Sequence, residues 1–299
     1  MTILKSFFCS LVFYENKFSI LNQKTYFRRP VKMKYLSLSI IIISLVFGGC
    51  RSKFQKALKN TDSKKKLEVA EYFFMKKDFY RAQTLFDQLD NEIANTPLAE
   101  KILYYQAQCD YGLKMYSLAG YRYKIYYETY PTSVNAEEAL YLNGYCIYLE
   151  SQDSELDQID TYKAIETFKI FVSVYPESKY LNDCNKYLDK LRAKLSLKAY
   201  NNAKLYYNIG SYKSAIVTLR NLVNDFPEIA QREEIDFLIL KSNYLLAENS
   251  IPEKQVQRYQ ETISAFDEFT EYYTESSKYM ANAKAIKEKA VTELNKINK

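Results

Sequence analysis

Four segments of the chain place small and large apolar residues at one spacing. They read Phe79, Ala82, Phe86, Leu89; then Tyr116, Ala119, Tyr123, Tyr126; then Thr161, Ala164, Phe168, Phe171; then Tyr212, Ala215, Leu219, Leu222. A fifth, weaker copy reads Tyr259, Thr262, Phe266, Phe269. The i, i+3, i+4, i+7 recurrence predicts amphipathic helices, each with one small residue on its apolar face. In the middle three copies a proline follows the alanine by twelve residues, at Pro131, Pro176 and Pro227, and ends the helix. The same turn strings recur there: YPTS at 130–133, YPES at 175–178, FPE at 226–228 and YTES at 273–276. Twelve residues before the small residue stands another, Ala70, Ala107 and Ala203 in copies one, two and four. Copy three has Gln152 at that offset; its small residue is Gly144, displaced by the acidic stretch SQDSELDQID at 151–160. Paired small residues of this kind sit where two antiparallel helices touch, because only Ala or Gly lets the backbones approach.

The units are about 34 residues with insertions, which predicts an all-α fold. It is an α-solenoid of about five tetratricopeptide-like helix-turn-helix repeats. The stretch 177–207 contains no Gly or Pro and keeps helical periodicity through Tyr180, Cys184, Tyr187, Leu191 and Leu195. It predicts one long helix over about 178–208, splitting the repeats 3 + 2. Lys278 to Lys299 reads as a polar capping helix, which a solenoid needs at its end.

The first fifty residues have another character. Met33-Lys34 opens a positive start, Leu36–Phe47 is a short apolar run, and Gly48-Gly49-Cys50 follows. That is the pattern of a lipoprotein signal peptide, with Cys50 as the acylated residue and the new N-terminus. The expected organisation is 1–32 outside the mature protein, 33–49 signal peptide and 50–66 a lipidated basic tether. Repeats one to three then fill 67–177, and the long helix, repeats four and five and the cap fill 178–299. Arg51, where an inner-membrane retention signal would carry Asp, favours the outer membrane.

Composition narrows the chemistry. The chain has 299 residues, 30 Tyr and 17 Phe, but no His and no Trp. Without His there is no Ser-His-Asp or Cys-His centre and no imidazole zinc site. The glycines are too sparse for a phosphate-binding loop. Residues 1–50 hold seven bases against one acid, so the net charge of +6 belongs to the leader; a neutral body argues against nucleic acid. No enzyme activity, metal or cofactor is expected beyond the covalent lipid on Cys50. Cys109 and Cys146 fall on neighbouring first helices, whose axes lie about 8–10 Å apart. A disulfide wants Cα atoms within about 7 Å.

The chain resembles the BamD/YfiO family of outer-membrane lipoproteins of the β-barrel assembly machinery. The resemblance is carried by the lipoprotein signal, the 3 + 2 split and one local run: Leu191, Lys194, Leu195, Ala203, Tyr206, Tyr207, Gly210, Tyr212, Ala215, Ile216, Leu222, Asp225, Phe226 and Pro227. Asp110, where the repeat prefers an aromatic residue, and the 151–160 insertion depart from it. The resemblance implies a non-enzymatic protein on the periplasmic face of the outer membrane, held there by its lipid. Its C-terminal repeats would dock on the POTRA domains of a BamA-like barrel insertase. Its N-terminal repeats would receive unfolded outer-membrane proteins. In such repeats four first-helix positions face the concave groove. Here they are Lys64, Leu67, Glu71 and Phe74; Lys101, Tyr104, Gln108 and Tyr111; and Glu138, Tyr141, Tyr145 and Tyr148. The expected site is this Tyr-rich strip stacking on the aromatic end of an extended substrate, with Lys64 or Lys101 near its carboxylate. The strip read as plain interhelical packing is the alternative for each tyrosine. For the whole protein the alternatives are a Tol-associated or cell-envelope repeat scaffold and a SusD-type glycan-capture lipoprotein.

Overall fold

The computed structural model describes residues 53–93, 96 and 98–297. The segment 1–32, the signal segment 33–49 and Cys50 lie outside the described residues. Twelve helices follow one another, with no strand among the described residues. A short α1 (Lys53–Leu58) contains the division of the chain into two units, 1–56 and 57–299. The second unit holds α2 (Ser63–Met75) and α3 (Phe79–Ile93), α4 (Leu98–Gly112) and α5 (Tyr116–Thr129), α6 (Ala136–Glu150) and α7 (Ile159–Val174). These three pairs are repeats one to three. The long α8 (Leu181–Asn208) leads into α9 (Tyr212–Asp225), then α10 (Arg232–Glu248) and α11 (Pro252–Tyr272), closed by α12 (Met280–Ile297).

The small residues lie at the helix contacts. Ala82, Ala119, Ala164 and Ala215 are fully buried, as are Ala70 and Ala107 on the preceding helices. The large residues after them, Phe86 and Leu89, Tyr123 and Tyr126, Phe168 and Phe171, are also fully buried. Each such side chain contributes roughly 1.5–3 kcal/mol by leaving water. Thr262 takes the alanine position in the fifth repeat by donating its hydroxyl to Arg258 O at 2.9 Å, within its own helix. Gly144 in repeat three lies close under the Phe168 ring: a Cβ there would stand 3.0 Å from it, tighter than ordinary contact.

Three inner turns share one backbone form. Lys77, Lys114 and Gly210 each precede the small residue by five positions and have φ of 58°, 61° and 77°. The following N–H reaches back to Phe73 O, Asp110 O or Tyr206 O, closing the helix end. Between repeats, a serine of the recurring turn string, or in the last copy the serine just after it, starts the next helix. Ser133 Oγ accepts Asn135 N–H, Ser178 Oγ accepts Tyr180 N–H, and Ser277 Oγ accepts Tyr279 N–H.

Repeat three lacks the tight inner turn and has residues 151–158 instead. The long helix fastens that loop. Lys194 Nζ donates to Ser151 Oγ at 2.6 Å and Ser151 O at 3.1 Å, and Lys198 Nζ donates to Leu156 O at 2.7 Å. Burial pushes the Lys194 amine below its ordinary range. The helix also serves two cores. Its first half packs Cys184, Leu191 and Leu195 against Phe168 and Phe171; its second half packs Tyr200 and Ala203 against Leu219 and Ile235. Phe226 borders both.

Asp110 is an acid inside the protein, 1% exposed. Arg122 Nε stands 3.3 Å from it and reaches Asp87 at 3.5 Å through Nη2. Burial pushes the Asp110 carboxyl up to about 6, against the pull of Arg122, with the Asp87 charge adding to the rise. Cys109, Cys146 and Cys184 are buried free thiols, each raised to about 12 by burial.

Two outcomes are expected. Lys114→Gly should raise stability by about 0.5–1 kcal/mol and Gly210→Ala should lower it by a similar amount, because a side chain at positive φ is strained; urea unfolding reads both. Asp110 binds its proton more tightly folded than unfolded. Its contribution is therefore present below pH 4 and is lost as pH rises through about 6. The stability difference between the parent and Asp110→Asn should shift against the parent by roughly 2–3 kcal/mol from pH 4 to 7. Equal slopes for both proteins would refute it.

Candidate functional site

The first helices of the repeats meet one another through aromatic rings. Phe74 on α2 packs at a tilt against Tyr105 on α4 with ring centroids 4.6 Å apart. Tyr111 on α4 meets Tyr145 on α6 at 6.4 Å. Tyr141 lies 6.2 Å from Tyr145 and Tyr148 lies 6.0 Å from it, a ladder one turn apart along α6. The long helix completes this seam: Tyr180, its N-cap residue, stacks on Tyr141 at 4.2 Å, and Tyr187 touches both Tyr145 and Tyr148. Tyr111, Tyr141, Tyr145 and Tyr148 are half-buried. Burial raises the phenols of Tyr111, Tyr141 and Tyr187, so all three are neutral donors at physiological pH. The arrangement offers ring faces and hydroxyls in a row, a surface suited to flat peptide groups and aromatic side chains.

The expected site residues divide. Tyr111, Tyr141, Tyr145 and Tyr148 come together. Phe74 belongs to a separate group with Phe79 and Tyr105. Lys101 stands over the Tyr105 ring at 5.6 Å, and its Nζ lies 2.6 Å from Glu71, which raises its pKa. Lys64 is exposed on the first turn of α2, its backbone N–H held by the Asp62 cap. Tyr104 points inward, 7% exposed, against Tyr126 at 5.1 Å and Tyr123 at 6.2 Å. Tyr180 and Tyr187 are members that the groove positions of a single repeat leave out. Their helical spacing after Pro176 was visible in the sequence, but their partners lie on the preceding repeat.

Beside the aromatic seam lie two open cavities that share Glu138. One, of about 590 Å³, is lined by Glu100, Lys101, Tyr104, Gln108 and Tyr126. The other, of about 600 Å³, is lined by Val134, Glu137, Glu177, Lys179 and Tyr180. Glu100 accepts the Tyr126 hydroxyl at 2.9 Å, and Glu137 accepts that of Ser178 at 2.6 Å. A more enclosed cavity of about 560 Å³ lies on the second-helix side, between α5, α6 and α7. Its rim lysines, Lys124 and Lys163, are already paired with Glu128 and Asp160. In the C-terminal repeats the last turns of α8 leave Leu205, Tyr206 and Ile209 exposed. No group of acids or cysteines among the described residues could hold a metal ion, and no described helix is long and apolar enough to cross a membrane.

The chain is 24% identical over 229 residues to a protein of Rickettsia prowazekii (strain Madrid E) named outer membrane protein assembly factor BamD; the match covers 72% of this chain and 86% of that one. Among solved structures, the yeast histone chaperone Hif1 aligns over 83% of this chain and 98% of its own at 10% identity, with a TM-score of 0.25. The family described as YfiO, outer membrane lipoprotein, matches residues 59–258, which takes in every repeat helix from α2 to α10 and the start of α11. The chain belongs to the YfiO family of outer membrane lipoproteins.

Proposed function

We propose that the protein is a non-enzymatic component of an outer-membrane protein assembly complex, held by a lipid on Cys50 at the periplasmic face. The observation that carries this reading is the family match over the repeat region, joined to a relative named as an assembly factor. In this reading the aromatic seam of repeats one to three receives extended segments of unfolded outer-membrane proteins. Tyr111, Tyr141, Tyr145 and Tyr148 supply the stacking surface, with Phe74, Tyr104, Lys64 and Lys101 at its margins. Half-buried rings fixed by their neighbours lose little entropy when a ligand stacks on them, which favours binding. The C-terminal repeats dock on the POTRA domains of a BamA-like insertase, and the exposed Leu205, Tyr206 and Ile209 are the apolar contact there.

A mild-detergent pull-down from outer membranes through a C-terminal tag should recover a POTRA-containing barrel protein in stoichiometric amount. Leu205→Asp with Ile209→Asp should abolish that recovery while leaving the helical melt unchanged. Recovery of Tol-associated or glycan-uptake components instead would move the chain to another envelope scaffold. Tyr111→Ala with Tyr145→Ala should weaken binding of aromatic-rich unfolded segments by roughly tenfold or more, on the scale of losing two buried aromatic contacts. Unchanged binding by an intact fold would remove the seam from the site.

A further inference from the structure

We propose that the groove of repeats one to three selects segments in which a lysine or arginine stands beside the aromatic side chains, and that a free terminal carboxylate is not what its polar end recognises. This rests on the reading of the seam as a substrate groove.

The two cavities flanking the seam carry Glu100, Glu137, Glu138 and Glu177 against Lys101 and Lys179. Lys101 already has an acid partner, and Lys179 is exposed against a ring. Lys101 lies 2.6 Å from Glu71, and Lys179 stands over the Tyr180 ring at 4.8 Å. The balance of the mouth is therefore acidic, and a carboxylate entering it would meet like charge. Glu138 is the acid common to both cavities, half-buried on the first turn of α6.

A second observation points to the same place. Tyr104, 7% exposed, lines the cavity that Glu138 closes, and its hydroxyl lies beside Glu138 and Gln108 without a hydrogen bond of ordinary geometry to either. Leaving a buried hydroxyl unmatched is costly, so such a group is normally answered by water or ligand. Burial and the charge of Glu138 together hold this phenol protonated. A protonated ammonium or guanidinium can accept nothing but can donate to both the Glu138 carboxylate and the Tyr104 oxygen. A cation thus matches the acid and the hydroxyl at once, while the aromatic residues beside it in the segment match the seam.

The test uses the full chain and short synthetic peptides of alternating aromatic residues with one lysine, made as the free acid or the C-terminal amide, read by fluorescence anisotropy. The amide should bind as well as the acid or better. Lysine replaced by glutamine in the peptide should weaken binding about five- to tenfold, as expected for one partly shielded charge contact. Glu138→Gln should weaken the lysine peptide by the same factor and leave the glutamine peptide unchanged. Tyr104→Phe, which removes only the hydroxyl, checks that a loss does not come from misfolding: it should melt no lower than the parent and bind the lysine peptide less tightly. A requirement for the free carboxylate, or indifference to the lysine, would overturn the inference and leave the groove standing. Failure of every aromatic peptide to bind would remove the groove itself.

Discussion

Close approach of two helices at a single small residue governs the fold of residues 57–299. Ala82, Ala119, Ala164 and Ala215 are fully buried, and the small side chain sets the depth at which the large residues four and seven positions on sit. Depth and register then follow together. The positive-φ turn five residues earlier and the serine-started helix fourteen residues later in repeats two and three are spaced from that same point. Where the spacing is broken, as at 151–158, the protein supplies a substitute: two lysines from another helix tie down what a tight turn would have fixed.

The same constraint explains why this chain is rich in tyrosine. Alanine contacts bring the first helices near enough for their ring faces to meet, and that face is half open to solvent. A phenylalanine there would bury its whole body at the cost of an apolar surface; a tyrosine packs its ring and keeps a hydroxyl for water or ligand. The fully buried rings deeper in each repeat, Phe86, Phe168, Phe171 and Phe269, carry no hydroxyl. Tyr123 and Tyr126 are the exceptions, and Tyr126 alone of the two finds partners, in Ser133 and Glu100.

Much of the fold was legible because it is written in a repeated spacing. The long helix expected over 178–208 runs from Leu181 to Asn208, and the capping helix spans Met280–Ile297. The groove was legible in part. Helical positions tell which way Tyr104 leaves α4, but not that Tyr123 and Tyr126 of the next helix close over it. Nor does a one-repeat pattern show that Tyr180 and Tyr187 return to α6. Lys101 reads as a free cation until Glu71 of the preceding repeat is placed beside it. Asp110 was visible as a departure from the repeat; its partner, Arg122, lies on the following helix and falls outside any single-helix pattern.

One unbroken helix of 28 residues runs from the N-terminal repeats into the C-terminal ones. At 1.5 Å per residue it is about 42 Å long, and no flexible joint interrupts it. It acts as a ruler. Partners bound to the two sets of repeats, in the proposed reading, would be kept at one fixed separation, so binding the first would set the local concentration of the second. A loose linker would spread that concentration over a sphere, whereas a rigid span focuses it at one distance. In that reading the geometry of α8 would let two binding events reinforce one another only for partners whose own spacing matches the rod.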